Sequence, residues 1–297
     1  MLSAISITFA GIMLLLVAAY VLKRAKKIPT LFAKSWKNLI LASLSLSFGV
    51  FTWYDSINRI GASKEVLIAG PLEIVIIVLL ARVFLNERLN RFHFIGIGIA
   101  LVGFCMAVVS DTNFAVPDLS MPSAIIISFG DIEAILSAFG FAGGVIFLTK
   151  LTIRYSSLEV AGSSMFASGL ILVSFMIVGI ISYAADHVVL PSKKEIFFFT
   201  QRLVFSIVVL LLFSLLPFIG SLSYSTGLSR IGASLTSTIG SSSILMTVML
   251  QLILKEFGIN SHLPENIFLA ISGGVIGFVG IYVIHIPHYS MSITKKE

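Results

Sequence analysis

"RIGASKEVLIAGPLEIVIIVLL", from Arg59 to Leu80, is an apolar run with a proline, Pro71, and a carboxylate, Glu73, near its middle. About 20 mostly apolar residues suffice to cross a bilayer core as a helix, and this run is long enough. A carboxylate at its centre costs about 2.5–3.5 kcal/mol on insertion scales, so Glu73 must face a protein interior or a water-filled cavity. Pro71 removes an amide donor and frees a carbonyl one turn earlier; in lipid such a group needs a protein or water partner. The stretch therefore reads as a membrane span broken near its middle, with an ionisable group at the break.

The rest of the chain is of the same kind. Of its 297 residues 57% are hydrophobic and 11% charged, and the mean hydropathy is +1.05. A soluble domain is about 45–50% apolar and about 25% charged. Apolar windows with polar boundaries predict nine spans: Leu2 to Val21, Asn38 to Asn58, Ser63 to Phe84, Phe92 to Val109, Asp131 to Leu151, Val160 to Tyr183, Phe197 to Gly227, Ala233 to Leu254 and Ile267 to Ile286. The expected fold class is all-α, a polytopic transmembrane helical bundle. The lone cysteine, Cys105, lies inside a span and reads as a small packing residue. The first segment has no positive charge before its apolar run, so it reads as a retained helix and not a secretory signal.

Charge sets the orientation. With the loop Lys23 to Lys37 inside, about 14 Lys and Arg fall on the cytoplasmic side and about 6 outside. The amino terminus is then outside and the carboxyl terminus cytoplasmic, in a prokaryotic plasma membrane. The net charge of +6 follows from these loops and implies no nucleic-acid partner. The two longest external connections are Ser110 to Gly130, read as the joint between two halves, and the segment around "DHVVLPSKKE".

An internal repeat is written into the turns. "NRIGAS" at Asn58 to Ser63 returns as "SRIGAS" at Ser229 to Ser234. Aromatic and hydroxyl residues precede each, "WYDSI" and "LSYSTGL", and a helix interrupted by "AGP" or "IGSSS" follows. An acidic end comes next, "LNERL" or "LKEFG", and then a glycine-rich helix, "GIGIALVG" or "SGGVIGFVG". Five predicted spans separate the two turns, so the turns lie on opposite membrane faces and the halves are inverted. Inverted repeats with helices interrupted at matching positions point to a secondary transporter with a midplane site. The expected division is residues 1–112 with four helices, a connecting loop over 113–129, and residues 130–297 with five.

"GPLEIVIIVLLARVFLNERLNRFHFIGIGIALVGF", Gly70 to Phe104, resembles the end of an EamA-type repeat of the drug/metabolite transporter superfamily. "GDIEAILSAFGFAGGVIFLTK", Gly130 to Lys150, is similar to the opening of that family's second repeat. The resemblance implies two five-helix inverted repeats that move small metabolites, often outward. This chain shows four spans in its first half, lacking the counterpart of the family's first helix.

Individual residues then divide by depth and face. Glu73 is about ten residues from the outer turn, or roughly 15 Å along a helix, near the bilayer centre. It reads either as a proton-coupling or cation-binding group or as a structural partner of the backbone freed by Pro71; the proline beside it in a repeat-matched break favours function. In the second half Gly240 loosens the helix while Ser237 and Ser241 share one face. In the second span Ser43, Ser47, Phe51 and Tyr54 follow one face, with Asp55 at its border and within i, i+4 reach of Arg59. Pro217 suggests a kink in the seventh span, with Ser221 and Tyr224 beyond it on one face. The candidate cavity-lining set is thus Glu73, Pro71, Ser47, Tyr54, Asp55, Ser221, Tyr224, Ser237, Gly240 and Ser241.

Other features have structural readings. Asp131 and Glu133 suit a helix N-terminus, Glu87 and Arg88 a helix end, and His285 and His288 a membrane boundary. Gly96, Ala100 and Gly103, like Gly273, Gly277 and Gly280, form small-residue stripes for close helix contact. No HExxH or GxSxG pattern occurs. The expectation is a gradient-driven carrier of a small metabolite, an amino acid or related compound, by alternating access. It needs no cofactor or metal and is not an enzyme. Its partners are the substrate and the lipid bilayer, with a homodimer as the candidate assembly. The alternatives are a non-transporting assembly or sensor protein, and an intramembrane enzyme acting on lipid.

Overall fold

The computed structural model describes residues 2–24, 31–85, 91–110, 128–186, 193–240, 242–258 and 266–294. These residues are helical almost throughout, in the order α1 (Leu2–Arg24), α2 (Leu31–Lys34), α3 (Trp36–Ile60), α4 (Ala62–Phe84), α5 (Arg91–Val109), α6 (Phe129–Thr152), α7 (Ser157–Asp186), α8 (Lys193–Gly240), α9 (Ser242–Glu256) and α10 (Ile267–Thr294). Among them α1, α3, α4, α5, α6, α7 and α10 are long and apolar enough to cross a membrane. The chain is an integral membrane protein, and its described residues form an all-helical, polytopic architecture. Most of the connection Ser110 to Gly130, the loop around "DHVVLPSKKE", Glu87, Arg88 and Ser241 lie outside the described residues, as do the side chains of His285 and His288.

Helix boundaries follow the chemistry of the turns. Gly61 ends the approach to α4 at φ 81°, ψ 156°, a backbone region open essentially to glycine. Gly232, inside α8, has φ 82°, ψ 176° and divides that helix at the second RIGAS. The interruption expected at "IGSSS" falls between Gly240, where α8 ends, and Ser242, where α9 begins. The first-half break is different: α4 is continuous through Pro71. Proline forfeits one ladder bond, and close packing of a neighbouring helix holds the rest of the turn. That neighbour is α10, whose Gly277 would put a Cβ 3.0 Å from the Pro71 ring.

The helices group into two compact units, Met1–Ser47 with Phe147–Ile231, and Phe48–Ile146 with Gly232–Glu297. Each draws on both halves of the sequence. In the first, α1 and α7 touch backbone to backbone: a Cβ on Gly11 would lie 2.4 Å from the Phe166 amide nitrogen, and one on Gly169 2.7 Å from Thr8 Cα. Ser43 and Ser47 on α3 donate to the Ser164 and Ser168 carbonyls of α7, at 3.4 and 3.0 Å.

In the second unit the two glycine stripes close on each other. A Cβ on Gly103 would lie 2.4 Å from the Gly273 carbonyl oxygen, and one on Gly280 2.4 Å from the Ala100 amide nitrogen. Helices α5 and α10 therefore pack through their backbones, as small-residue stripes in a membrane allow. Helix α4 lies against both, with Ile74 and Val78 meeting Ile281, Ile284 and Ile97. Nearer its start, Leu67 and Ile68 join Ala107, Ala134, Ala270 and Leu252.

Candidate functional site

The first turn of α4 is polar and buried. Ser63, Lys64 and Glu65 are at most 3% exposed, although charged residues belong in water unless paired. Each finds its partner on a different helix. Ser63 donates its amide to Gln251 Oε1 of α9 at 3.0 Å, and its hydroxyl reaches the same oxygen. Lys64 Nζ lies 2.8 Å from Asp131 Oδ1 on α6, a fully buried ion pair. Glu65 Oε2 accepts the Trp53 indole N–H of α3 at 2.7 Å, and Oε1 lies 3.2 Å from Ser137 Oγ of α6.

Asp131 has a second task. Its Oδ2 accepts from the Ser128 amide at 2.9 Å, while Ser128 Oγ accepts from the Asp131 amide at 3.2 Å. This reciprocal pair is a capping box, which satisfies orphan amides at the start of α6. The carboxylate thus caps its own helix and anchors Lys64 of another. Ser56 adds a hydroxyl bond to the Gly130 carbonyl at 2.9 Å.

Towards the rim, Arg59 Nη2 pairs with Asp55 at 3.2 Å and Arg59 Nε with Glu133 Oε2 at 3.0 Å. Its guanidinium also stands 5.0 Å from the Phe129 ring centroid. Trp53 packs edge-on to Phe141 at 6.3 Å and tilts against Tyr54 at 4.7 Å. In this cluster carboxylates outnumber cations. Glu65 has only neutral donors for partners, and an aromatic wall stands beside it. Such a site can exchange a proton or hold a cation. Among the described residues no three His, Cys, Asp or Glu side chains are placed to hold a metal ion.

The expected site residues distribute unevenly. Pro71 is buried and Glu73 half-buried on α4, and Glu73 has no hydrogen-bond or ion-pair partner among the described residues. Asp55 is engaged by Arg59. Tyr54 is exposed on α3, on the same outward side as Phe48 and Phe51. Ser237 is buried near the end of α8 and Gly240 is exposed. All of these lie in the second unit. Ser47 is fully buried in the first unit, where its hydroxyl meets both the Ser43 and Ser168 carbonyls. Ser221 and Tyr224 are half-buried there.

Lys64, Glu65, Trp53, Ser137 and Gln251 were not legible as one site in the sequence. Lys64 and Glu65 sit at the polar edge of a predicted span, where charges are ordinary. One signal was present: a Lys-Glu pair directly after a turn whose repeat, "SRIGASLT", carries Leu235 and Thr236 instead.

No curated protein matches the chain. Among solved structures 22 chains match. One of them, titled "Crystal structure of protein", is 16% identical, covers 94% of this chain and 86% of its own length, and has a TM-score of 0.57. At that identity the likeness concerns the fold alone. The model of the EamA-like transporter family matches residues 1–109, from α1 to the end of α5. That stretch, which includes the buried start of α4, is where the chain is similar to this family.

Proposed function

We propose that this protein is a secondary-active transporter that moves a small metabolite across a prokaryotic plasma membrane by alternating access. Its two halves, residues 1–112 and 130–297, act as inverted repeats, with the amino terminus outside and the carboxyl terminus cytoplasmic. The observation that carries the reading is the duplicated turn: Gly61 and Gly232 hold the same rare backbone conformation at corresponding points of the two RIGAS motifs. Each turn feeds a helix with a weak point, at Pro71 in α4 and at Gly240 before α9. The two points differ in form, since α4 runs on through Pro71 while α8 and α9 are interrupted, but both mark the place where transporters of inverted repeats bind substrate.

The substrate site then lies between α4 and the junction of α8 with α9, with Glu73 as its ionisable group and Ser237 and Gly240 contributed by the end of α8. The substrate is an amino acid or related compound, moved outward, and Glu73 is the carboxylate that meets it. The test is flux in proteoliposomes against a panel of metabolites. Transport of one class by the wild type, with Glu73→Gln slowing it or removing its pH dependence, is the expected result. A wild type that moves none of the panel under either sign of proton gradient overturns the reading. Flux unchanged in Glu73→Gln removes Glu73 from the site.

A further inference from the structure

Glu65 is a different group from Glu73 and has its own chemistry. It is 1% exposed, and the nearby cations are engaged elsewhere: Lys64 with Asp131, and Arg59 with Asp55 and Glu133. A buried carboxylate in such a place must have its hydrogens accounted for one by one.

The hydrogens favour one protonation state. An indole nitrogen can only donate, so Trp53 gives its hydrogen to Glu65 Oε2. Ser137 owns a single hydroxyl hydrogen and has two acceptors in reach, the Ala134 carbonyl at 2.8 Å and Glu65 Oε1 at 3.2 Å. If Glu65 is ionised, one of these oxygens goes without. Giving the hydrogen to Ala134 turns a serine lone pair toward a carboxylate oxygen. Giving it to Glu65 strips the shorter bond and still leaves a full charge held by two neutral donors. A proton on Oε1 removes the conflict. Oε1–H then donates to Ser137 Oγ, Ser137 to the Ala134 carbonyl, and Trp53 to Oε2.

The charges on the surrounding helices favour the same state. On α3 stand Asp55 and Arg59, on α4 Lys64 and Glu73, and on α6 Asp131 and Glu133. The cations among them are each matched to carboxylates, so an ionised Glu65 adds negative charge with no counter-ion in a region of low dielectric.

We propose that Glu65 is a proton-binding site, occupied while Trp53 and Ser137 clamp it between α3, α4 and α6. The clamp ties proton occupancy to conformation. If α6 draws away from α4, Oε1 loses its acceptor and meets water, the proton leaves to solvent, and the carboxylate is hydrated. Return of α6 requires a proton to rebind. A link between this cycle and substrate movement rests on the proposed transport function; the occupied site does not.

Infrared difference spectra of the full chain in nanodiscs at neutral pH test the site without any flux measurement. Wild type minus Glu65→Gln should show one protonated-carboxyl C=O band that moves on exchange into D2O. Trp53→Phe, which removes the bond to Oε2, should move that band to higher frequency. Loss of carboxylate bands in Glu65→Gln in place of the protonated band overturns the proposal. Should Glu65→Gln fail to fold, a Trp53→Phe spectrum in which no protonated-carboxyl band moves overturns it equally. A Glu65 band found in a protein that carries no solute leaves the proton site standing and sinks only the transport reading.

Discussion

Gly61 and Gly232, one in each half of the chain, share a backbone conformation to within a degree in φ, at 81° and 82°, and both are extended in ψ, at 156° and 176°. Residues other than glycine pay about 1–3 kcal/mol in this region. A Cβ on Gly232 would meet nothing within 4 Å, so at that position the cost is conformational and not steric. Gly232→Ala should lower thermal stability in detergent by about that amount, and Gly61→Ala by a comparable one. Unchanged melting of Gly232→Ala would show that the turn relaxes and that the duplication carries no constraint.

The Lys64–Asp131 pair makes a sharper prediction. Removing one member of a buried ion pair costs about 3–5 kcal/mol because the other charge is stranded, whereas removing both is far milder. Lys64→Met should therefore be strongly destabilising. Lys64→Met with Asp131→Asn should recover most of the loss, since asparagine retains an oxygen for the α6 cap. Thermal melts of the two variants measure the difference; a double variant no better than the single would place the energy in the cap and not in the pair.

Two glycines of α5 should respond in opposite ways. At Gly98 a Cβ meets nothing within 4 Å, while at Gly103 it would sit 2.4 Å from backbone atoms of Gly273 and Gly277. Gly98→Ala should be neutral or stabilising, by up to about 1 kcal/mol of helix propensity. Gly103→Ala must push α10 away and should cost about 1–3 kcal/mol as an overpacked contact. Yield of monodisperse protein and melting temperature decide this.

Ser47 offers a test of role. Its hydroxyl lies in the α3–α7 contact, so Ser47→Ala should cost about 0.6 kcal/mol, a common size for interhelical hydrogen bonds in membranes. Substrate affinity should stay the same. A raised KM for transport with unchanged stability would return Ser47 to the substrate path.

Most helices were legible in the sequence because their apolar windows end at residues lipid cannot accept, but the predicted span Ala233 to Leu254 is divided between α8 (Lys193–Gly240) and α9 (Ser242–Glu256). The predicted span Ser63 to Phe84 became α4 at Ala62–Phe84, and Phe92 to Val109 became α5 at Arg91–Val109. The glycine stripes were legible because a 4-3 spacing of small residues has few other uses in a membrane. Pro71 was less so. Its effect depends on what packs beside it, and Gly277 lies some two hundred residues further along. The buried start of α4 was hidden for the same reason. Nothing local marks Lys64 as buried; Asp131 decides that, from another helix. Asp131 itself was legible as a cap and opaque as an ion-pair partner.

The contact between α5 and α10 bears on how this molecule can move. Side chains can change rotamer and let two helices slide, but here Gly103 meets Gly273 and Gly277, and Gly280 meets Ala100, through main-chain atoms. A shift of one residue would bring Val102 or Phe104 into a gap that only glycine fits. The two helices can therefore turn together but not slip past each other. Any rearrangement of α4 has a fixed axle on one side, assembled from α5 and α10.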